Sequence, residues 1–194
     1  MHLGKVLVTG ANRGLGKHIQ RNFHDHGYDV LIHNGSSDYN FIDIKDIMAL
    51  GNKAKEERVN ILINNAAITC PGKNLKGYTP QEIQEMIAVN LIAPILLTNI
   101  LLENLTDVIN INSMVCLEVN KNRTIYSATK WGLRGFAQSL KAEQQVINVL
   151  DVYPTNIKTT PEKLNAMEVD VVVEKIYDSF LRKENKLVLD GRIR

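Results

Sequence analysis

Residues 5–16 read Lys5-Val6-Leu7-Val8-Thr9-Gly10-Ala11-Asn12-Arg13-Gly14-Leu15-Gly16, an apolar strand running straight into a glycine-rich turn and then a helix. Glycine permits the tight turn and lets main chain approach a ligand closely. The start of a helix adds free N–H groups and a positive partial charge. A pyrophosphate fits such a place. The same glycines also make an ordinary structural turn, so the motif gains meaning only from its surroundings.

Outward from this unit, apolar strand-like runs alternate with stretches of helical period. Leu15 to about His26 is a helix with Ile19 and Phe23 on one face and Gly27 as its stop. Val30–His33 reads as a second strand and Asn40–Asp43 as a short third. Asp46 is placed to cap a helix to about Glu57, followed by a strand over Val59–Ile63. Thr79 caps the next helix. There Ile83, Met86, Ile87, Leu91, Ile95 and Leu101 leave several faces apolar, as expected where a partner subunit adds to burial by the sheet. A strand over Val108–Ile111, a helix from Ile125 to about Gln144, a strand over Val146–Val152, a helix over Val169–Leu181 and a strand over Leu187–Leu189 complete the chain.

This alternation predicts an α/β fold, a three-layer Rossmann-type doubly wound parallel sheet in a single domain over residues 1–194. One connection is short. Only Asn34–Tyr39 separates the second and third strands, where a parallel crossover normally takes a dozen residues or more. The segment is therefore expected to hold no helix and to pass directly between neighbouring strands.

A chain of 194 residues with 44% apolar types suits one core. Lys and Arg total 23 against 21 Asp and Glu, so no basic field of the kind nucleic acid requires is expected. The N-terminus enters a strand at once, and no run of about 18 uninterrupted apolar residues occurs, so neither a leader nor a membrane span is expected and the location expected is cytoplasmic. Cys70 and Cys116 lack partners at metal-ligand spacing and read as free thiols in or near the core.

Two further stretches carry chemistry. Tyr126-Ser127-Ala128-Thr129-Lys130 places a phenol and an ammonium one helical turn apart on one face, where the cation favours the phenolate and brings the hydroxyl closer to use as a general acid. A Tyr and a Lys at that spacing are also a common surface pair. Ile109-Asn110-Ile111-Asn112-Ser113 ends a strand, and open α/β sheets bind ligands beyond the carboxyl ends of their strands. Ser113 is thus placed to donate to a carbonyl oxygen.

Together with Asn64-Asn65-Ala66-Ala67 and Asn90, these motifs resemble the short-chain dehydrogenase/reductase family over nearly the whole chain and in family order, in the manner of its 3-oxoacyl carrier-protein reductases and carbonyl reductases. Asp43-Ile44 resembles the family's adenine-contacting turn, and Pro154-Thr155-Asn156-Ile157-Lys158-Thr159 is similar to the stretch that touches nicotinamide. Ala67 and Thr155 stand where the family usually has Gly.

The resemblance implies hydride transfer between nicotinamide and a small carbonyl or alcohol substrate, with Tyr126 as general acid/base. Lys130 holds the nicotinamide ribose, Ser113 orients the substrate oxygen and Asn90 secures a water in the proton relay. The implied cofactor contacts are Gly10, Asn12, Arg13, Gly14, Leu15, Gly16, Ser36, Asp43, Ile44, Asn65, Ala66, Tyr126, Lys130, Ile157 and Thr159, without a metal. It also implies a homodimer or homotetramer built on the helices that carry Asn90 and Tyr126. His33-Asn34-Gly35-Ser36-Ser37 offers no acid before Asp38 to bind a ribose 2′-hydroxyl, and Arg13 suits a 2′-phosphate, so NADP is expected ahead of NAD. Two alternatives remain, a non-catalytic dinucleotide sensor or scaffold, and a sugar-nucleotide epimerase or dehydratase, whose usual larger C-terminal region is not seen in this sequence.

Overall fold

β1 (Lys5–Thr9) buries four of its five residues because it runs between β2 (Asp29–His33) and β3 (Ile61–Asn64) with helices above and below. The computed structural model describes residues 3–69, 72–159 and 166–192, so Cys70 and residues 160–165 lie outside it. α1 (Gly14–Asp25) follows the glycine turn, and α2 (Ile44–Glu56) leads into β3. Further along come β4 (Asp107–Ile111), α5 (Thr124–Glu143), β5 (Asn148–Pro154), α6 (Val169–Leu181) and β8 (Lys186–Leu189). β6 (Ile157–Lys158) and β7 (Met167–Glu168) form a small parallel ribbon beside them.

The main sheet has the order β2-β1-β3-β4-β5-β8 and is parallel throughout. Alternate strand residues point to opposite faces, so each face has its own core. Val6, Val8, Ile63, Ile109 and Leu150 meet Ile19 and Phe23 of α1 and Val172, Ile176 and Phe180 of α6. Leu7, Leu62, Val108 and Val149 meet Ile47 and Leu50 of α2, Leu97 and Leu101 of α4 (Ala93–Leu101), and Ala137 and Leu140 of α5. The expected three layers are present.

The expected third strand is not. Asn34–Tyr39 holds no helix, as read from its length, but Asn40–Asp43 forms a turn rather than a strand. Its polar groups are satisfied locally: Asp43 N–H donates to the Asn40 carbonyl at 2.8 Å, Ile42 N–H to Asn40 Oδ1 at 3.2 Å, and Asn40 N–H to Asp46 Oδ2 at 2.8 Å. Phe41 is not a strand residue: it packs into the core on the α2 side of the sheet and stacks on His33, ring centroids 4.0 Å apart. β2 is therefore an edge strand. The cap of α2 is Asp43, which accepts from Lys45 N–H at 2.8 Å, and not Asp46.

The long apolar helix is also divided. α3 (Pro80–Ile87) begins at a reciprocal cap, with Glu82 N–H donating to Thr79 Oγ1 and Thr79 N–H to Glu82 Oε2. It continues through a π-helical turn over Ala88–Ile92 into α4. The run Pro80–Leu101 is long and apolar enough by length and composition to cross a membrane, which the sequence rule of uninterrupted apolar residues passes over. In this fold α4 packs on α2, and its Leu97 and Leu101 are fully buried in the core.

Candidate active site

Thr9 and Asn65 shape the glycine turn. The Thr9 hydroxyl accepts from the N–H groups of Asn65 and Ala66, both at 3.0 Å, and Asn65 Nδ2 donates to the carbonyls of Thr9 at 2.8 Å and Gly10 at 3.1 Å. Gly16 has to be glycine on space alone, since a Cβ there would lie 2.2 Å from the Gly10 oxygen. Gly10 and Gly14 have φ of 65° and 53°, a region that disfavours other residues.

His33 completes the turn from the other side. Gly10 N–H donates to His33 Nδ1 at 3.2 Å, and Nε2 lies 2.8 Å from the Tyr39 carbonyl, which fixes a neutral ring with its proton on Nε2. Burial lowers its pKa, in agreement. The ring at the end of β2 is thus already committed. Asn12 and Arg13 are exposed on the turn, and the Asn12 amide lies beside Gly35, so this surface adjoins the exposed Ser36. Arg13 makes no ion pair among the described residues.

A cleft of about 630 Å³ opens beyond the carboxyl ends of β3, β4 and β5. Ser113, Tyr126 and Lys130 line it together with Asn65, Asn112, Ile157 and Thr159. The Thr159 side chain reaches within 3.4 Å of where a Gly14 Cβ would stand, so the cleft and the glycine turn are continuous.

Lys130 is 3% exposed, and its ammonium donates to the Ile111 carbonyl at 2.8 Å and lies 5.8 Å from the centre of the Tyr126 ring. Burial pulls its pKa down to about 8, against opposing contributions from Cys116 and Asp151. The surface-pair reading of Tyr126 and Lys130 fails here, because both side chains are buried against the cleft. Ser113 follows β4 and its Oγ accepts from Val115 N–H at 3.3 Å, which leaves its own proton for another acceptor.

Asn90 is brought close but not into the cleft. It sits in the π-helical turn, 1% exposed, where Oδ1 accepts from Ile68 N–H at 2.7 Å and Nδ2 donates to the Ile68 carbonyl at 2.9 Å and to Thr129 Oγ1 at 3.3 Å. It therefore ties the segment after β3 to α5 one turn beyond Tyr126. Asp43 spends its carboxylate on capping α2, and Ile44 is exposed at the first turn of that helix.

Sequence reasoning missed several cleft residues, among them Asn112, Glu118, Arg123 and Arg192. It also missed a polar row beneath the site: Asn64 Nδ2 donates to Asn110 Oδ1 at 2.9 Å, Asn110 Nδ2 to Asp151 Oδ1 at 3.1 Å, and Tyr153 OH to Asp151 Oδ2 at 3.0 Å. Burial pushes Asp151 up to about 6. Polar residues in three consecutive sheet strands were the available signal, since Asn64, Asn110 and Asp151 share one row of the register.

A nicotinamide dinucleotide fits this architecture. The glycine turn is a cradle that a Cβ at Gly10 or Gly16 would fill, and the buried Nδ2 of Asn112, in the cleft wall, has no hydrogen-bond partner. The model of the short chain dehydrogenase family matches residues 39–168. The chain belongs to the short-chain dehydrogenase family.

Among its relatives, the 3-oxoacyl-[acyl-carrier-protein] reductase of Buchnera aphidicola subsp. Schizaphis graminum is 32% identical, over 88% of this chain and 81% of the relative. Nodulation protein G of Rhizobium sp. (strain N33) is 31% identical, over 89% and 81%. A short chain dehydrogenase of Burkholderia cenocepacia, solved in complex with NADP, superposes with a TM-score of 0.88 over 98% of this chain and 97% of that one, at 20% identity. A bulky-bulky ketone specific alcohol dehydrogenase of Comamonas testosteroni gives 0.83 at 23% identity, over 97% and 86%. At those identities the structural likenesses establish the fold.

Proposed function

We propose that the protein is an NADP-preferring oxidoreductase that interconverts a small carbonyl compound and its alcohol, with Tyr126 as general acid/base. The observation that carries this reading is a buried ammonium, Lys130, set beside Tyr126 in a cleft that also receives Ser113 and runs into the glycine turn. The cofactor supplies the hydride. Tyr126 gives its proton to the carbonyl oxygen in reduction and takes it back in oxidation, and the charge of Lys130 favours the oxyanion that forms on the phenol. Ser113 donates its free proton to the same oxygen and holds it in line.

Lys130 uses one of its three N–H groups on Ile111 and has two left for the ribose hydroxyls. Gly10, Asn12, Gly14, Leu15 and Gly16 hold the pyrophosphate, Asn65 and Ala66 the adjoining ribose, Asp43 and Ile44 the adenine, and Ile157 and Thr159 the carboxamide. Asn90 acts through position: both Nδ2 donors and one acceptor site of Oδ1 are engaged with Ile68 and Thr129, and the widened main chain of its turn is available to hold a relay water.

NADP is favoured over NAD because His33 stands where an acid would hold a ribose 2′-hydroxyl and is consumed by Gly10 and Tyr39, while Arg13 is exposed on the glycine turn and makes no ion pair among the described residues. The NADP complexes of structural neighbours accord with this. The half-buried apolar residues Leu91, Ile95 and Leu96 support a homodimer or homotetramer built on the helices that carry Asn90 and Tyr126; one domain per chain and a cytoplasmic location belong to the same reading. The test is a panel of carbonyl compounds followed by NADPH absorbance, with NADH alongside. Oxidation of NADPH by at least one compound supports the reading, and tight NADPH binding without turnover of any would favour the dinucleotide sensor.

A further inference from the structure

We infer that Arg123 selects substrates carrying a carboxylate, so that the compound turned over is an oxo acid or the matching hydroxy acid. The inference rests on the oxidoreductase reading above and names its substrate class. Among the described residues, three cations line the cleft, Lys130, Arg123 and Arg192, against one acid, Glu118. Two of the cations are committed. Lys130 donates to Ile111 and, in the reading above, gives its remaining N–H groups to the cofactor ribose, while Arg192 grips Glu118 through two bonds of 2.7 and 2.8 Å and Asp190 through two more of 2.7 and 2.8 Å. That pairing neutralises Glu118, the one acid among the described lining residues.

Arg123 makes no ion pair and no side-chain hydrogen bond among the described residues, although it is half-buried. A guanidinium partly withdrawn from water without a partner is unfavourable, and an anion arriving beside it offsets that cost. Its place gives the anion a purpose. Arg123 is the residue before α5 and stands three positions before Tyr126, within about one 5.4 Å turn along the helix. The Arg123 side chain is not spent on capping α5, and the positive end of that helix's dipole lies at the same place. The planar fork of arginine matches a carboxylate with two parallel bonds of about 2.7–2.9 Å. A carboxylate held there and a carbonyl at Tyr126 belong on one short carbon skeleton.

The experiment compares kcat/KM for 2-, 3- and 4-oxo acids and their methyl esters, in wild type, Arg123→Gln and Arg123→Lys, with NADPH saturating. A charge-assisted contact of this kind corresponds to a preference of about ten- to a hundredfold. Wild type is expected to favour at least one acid over its ester by that factor. Arg123→Gln should bring the ratio close to one, mainly through KM for the acid, and Arg123→Lys should restore part of it. Equal turnover of acid and ester by wild type, or an unchanged ratio in Arg123→Gln, would overturn the inference while leaving the oxidoreductase reading intact. Failure to oxidise NADPH with these compounds and with neutral ketones alike would overturn both.

Discussion

Gly16→Ala adds one methyl group at the first turn of α1, and the structure sets its sign against the usual helical preference. In an open helix the change would be favourable by about 0.8–1.0 kcal/mol, because alanine loses less backbone freedom on folding. Here the new carbon would stand 2.2 Å from the Gly10 oxygen and 2.4 Å from Asn65 Nδ2, and the near neighbour is main chain that has no rotamer to change. Relief requires moving the turn by about 1 Å, since ordinary contacts begin near 3.5 Å. Overpacking of this kind costs about 1–3 kcal/mol. The two bonds from Asn65 to Thr9 and Gly10 contribute roughly 1 kcal/mol each and are strained by the same movement. The cost exceeds the helical gain, and the expected net loss is about 1–4 kcal/mol. For a chain of this size that lowers Tm by about 2–4 °C per kcal/mol. Urea unfolding with an unchanged m value reads the loss directly, and NADPH titration reads the distortion of the cradle. A variant as stable as wild type, with cofactor affinity intact, would refute the close-approach argument.

Asp151→Asn should gain stability relative to wild type as pH rises from 5 to 8. The folded carboxyl of Asp151 lies near 6, above its unfolded value of 3.8, so its contribution is present below about 4 and is lost as pH rises through 6. The difference amounts to about 1–3 kcal/mol, and parallel urea curves for the two proteins at both pH values sharing one offset would contradict it. With Lys130 near 8, kcat/KM for reduction should fall as pH rises through about 8, because the amine loses its charge; a flat profile from pH 7 to 9.5 would show that this charge is not used. Arg13→Ala should weaken NADP binding by about one to two powers of ten and NAD binding much less, and equal losses at fixed salt would reassign Arg13 to the pyrophosphate or the turn.

The parallel core was legible because its strands are covered on both faces and read as unbroken apolar runs, as in Val6–Val8, Ile61–Ile63 and Val108–Ile109. The site motifs were legible because Tyr126 and Lys130 lie one turn apart on one helix and Ser113 follows directly on one strand, and because together they resemble a family pattern; spacing by itself left a surface pair open. Asn40–Asp43 misled because Phe41 and Ile42 give it a strand-like pair. Phe41 instead packs into the core beside α2 and stacks on His33, a contact across eight positions that no periodicity reports. The π-helical turn around Asn90 was equally hidden, since it depends on bonds to Ile68 and Thr129 from other parts of the chain. Arg192 reaches the cleft from the far end of the sequence because β8 runs beside β5, and only the fold puts its guanidinium on Glu118.

The most direct test of the account is Tyr126→Phe, assayed with NADPH and a carbonyl compound that wild type reduces, beside a cofactor titration of the same sample. Removing one hydroxyl takes away the transferable proton and little contact area, so turnover should fall to background while the NADPH dissociation constant stays within about twofold of wild type. A variant that reduces the compound at the wild-type rate would contradict the assignment of Tyr126 as the proton donor.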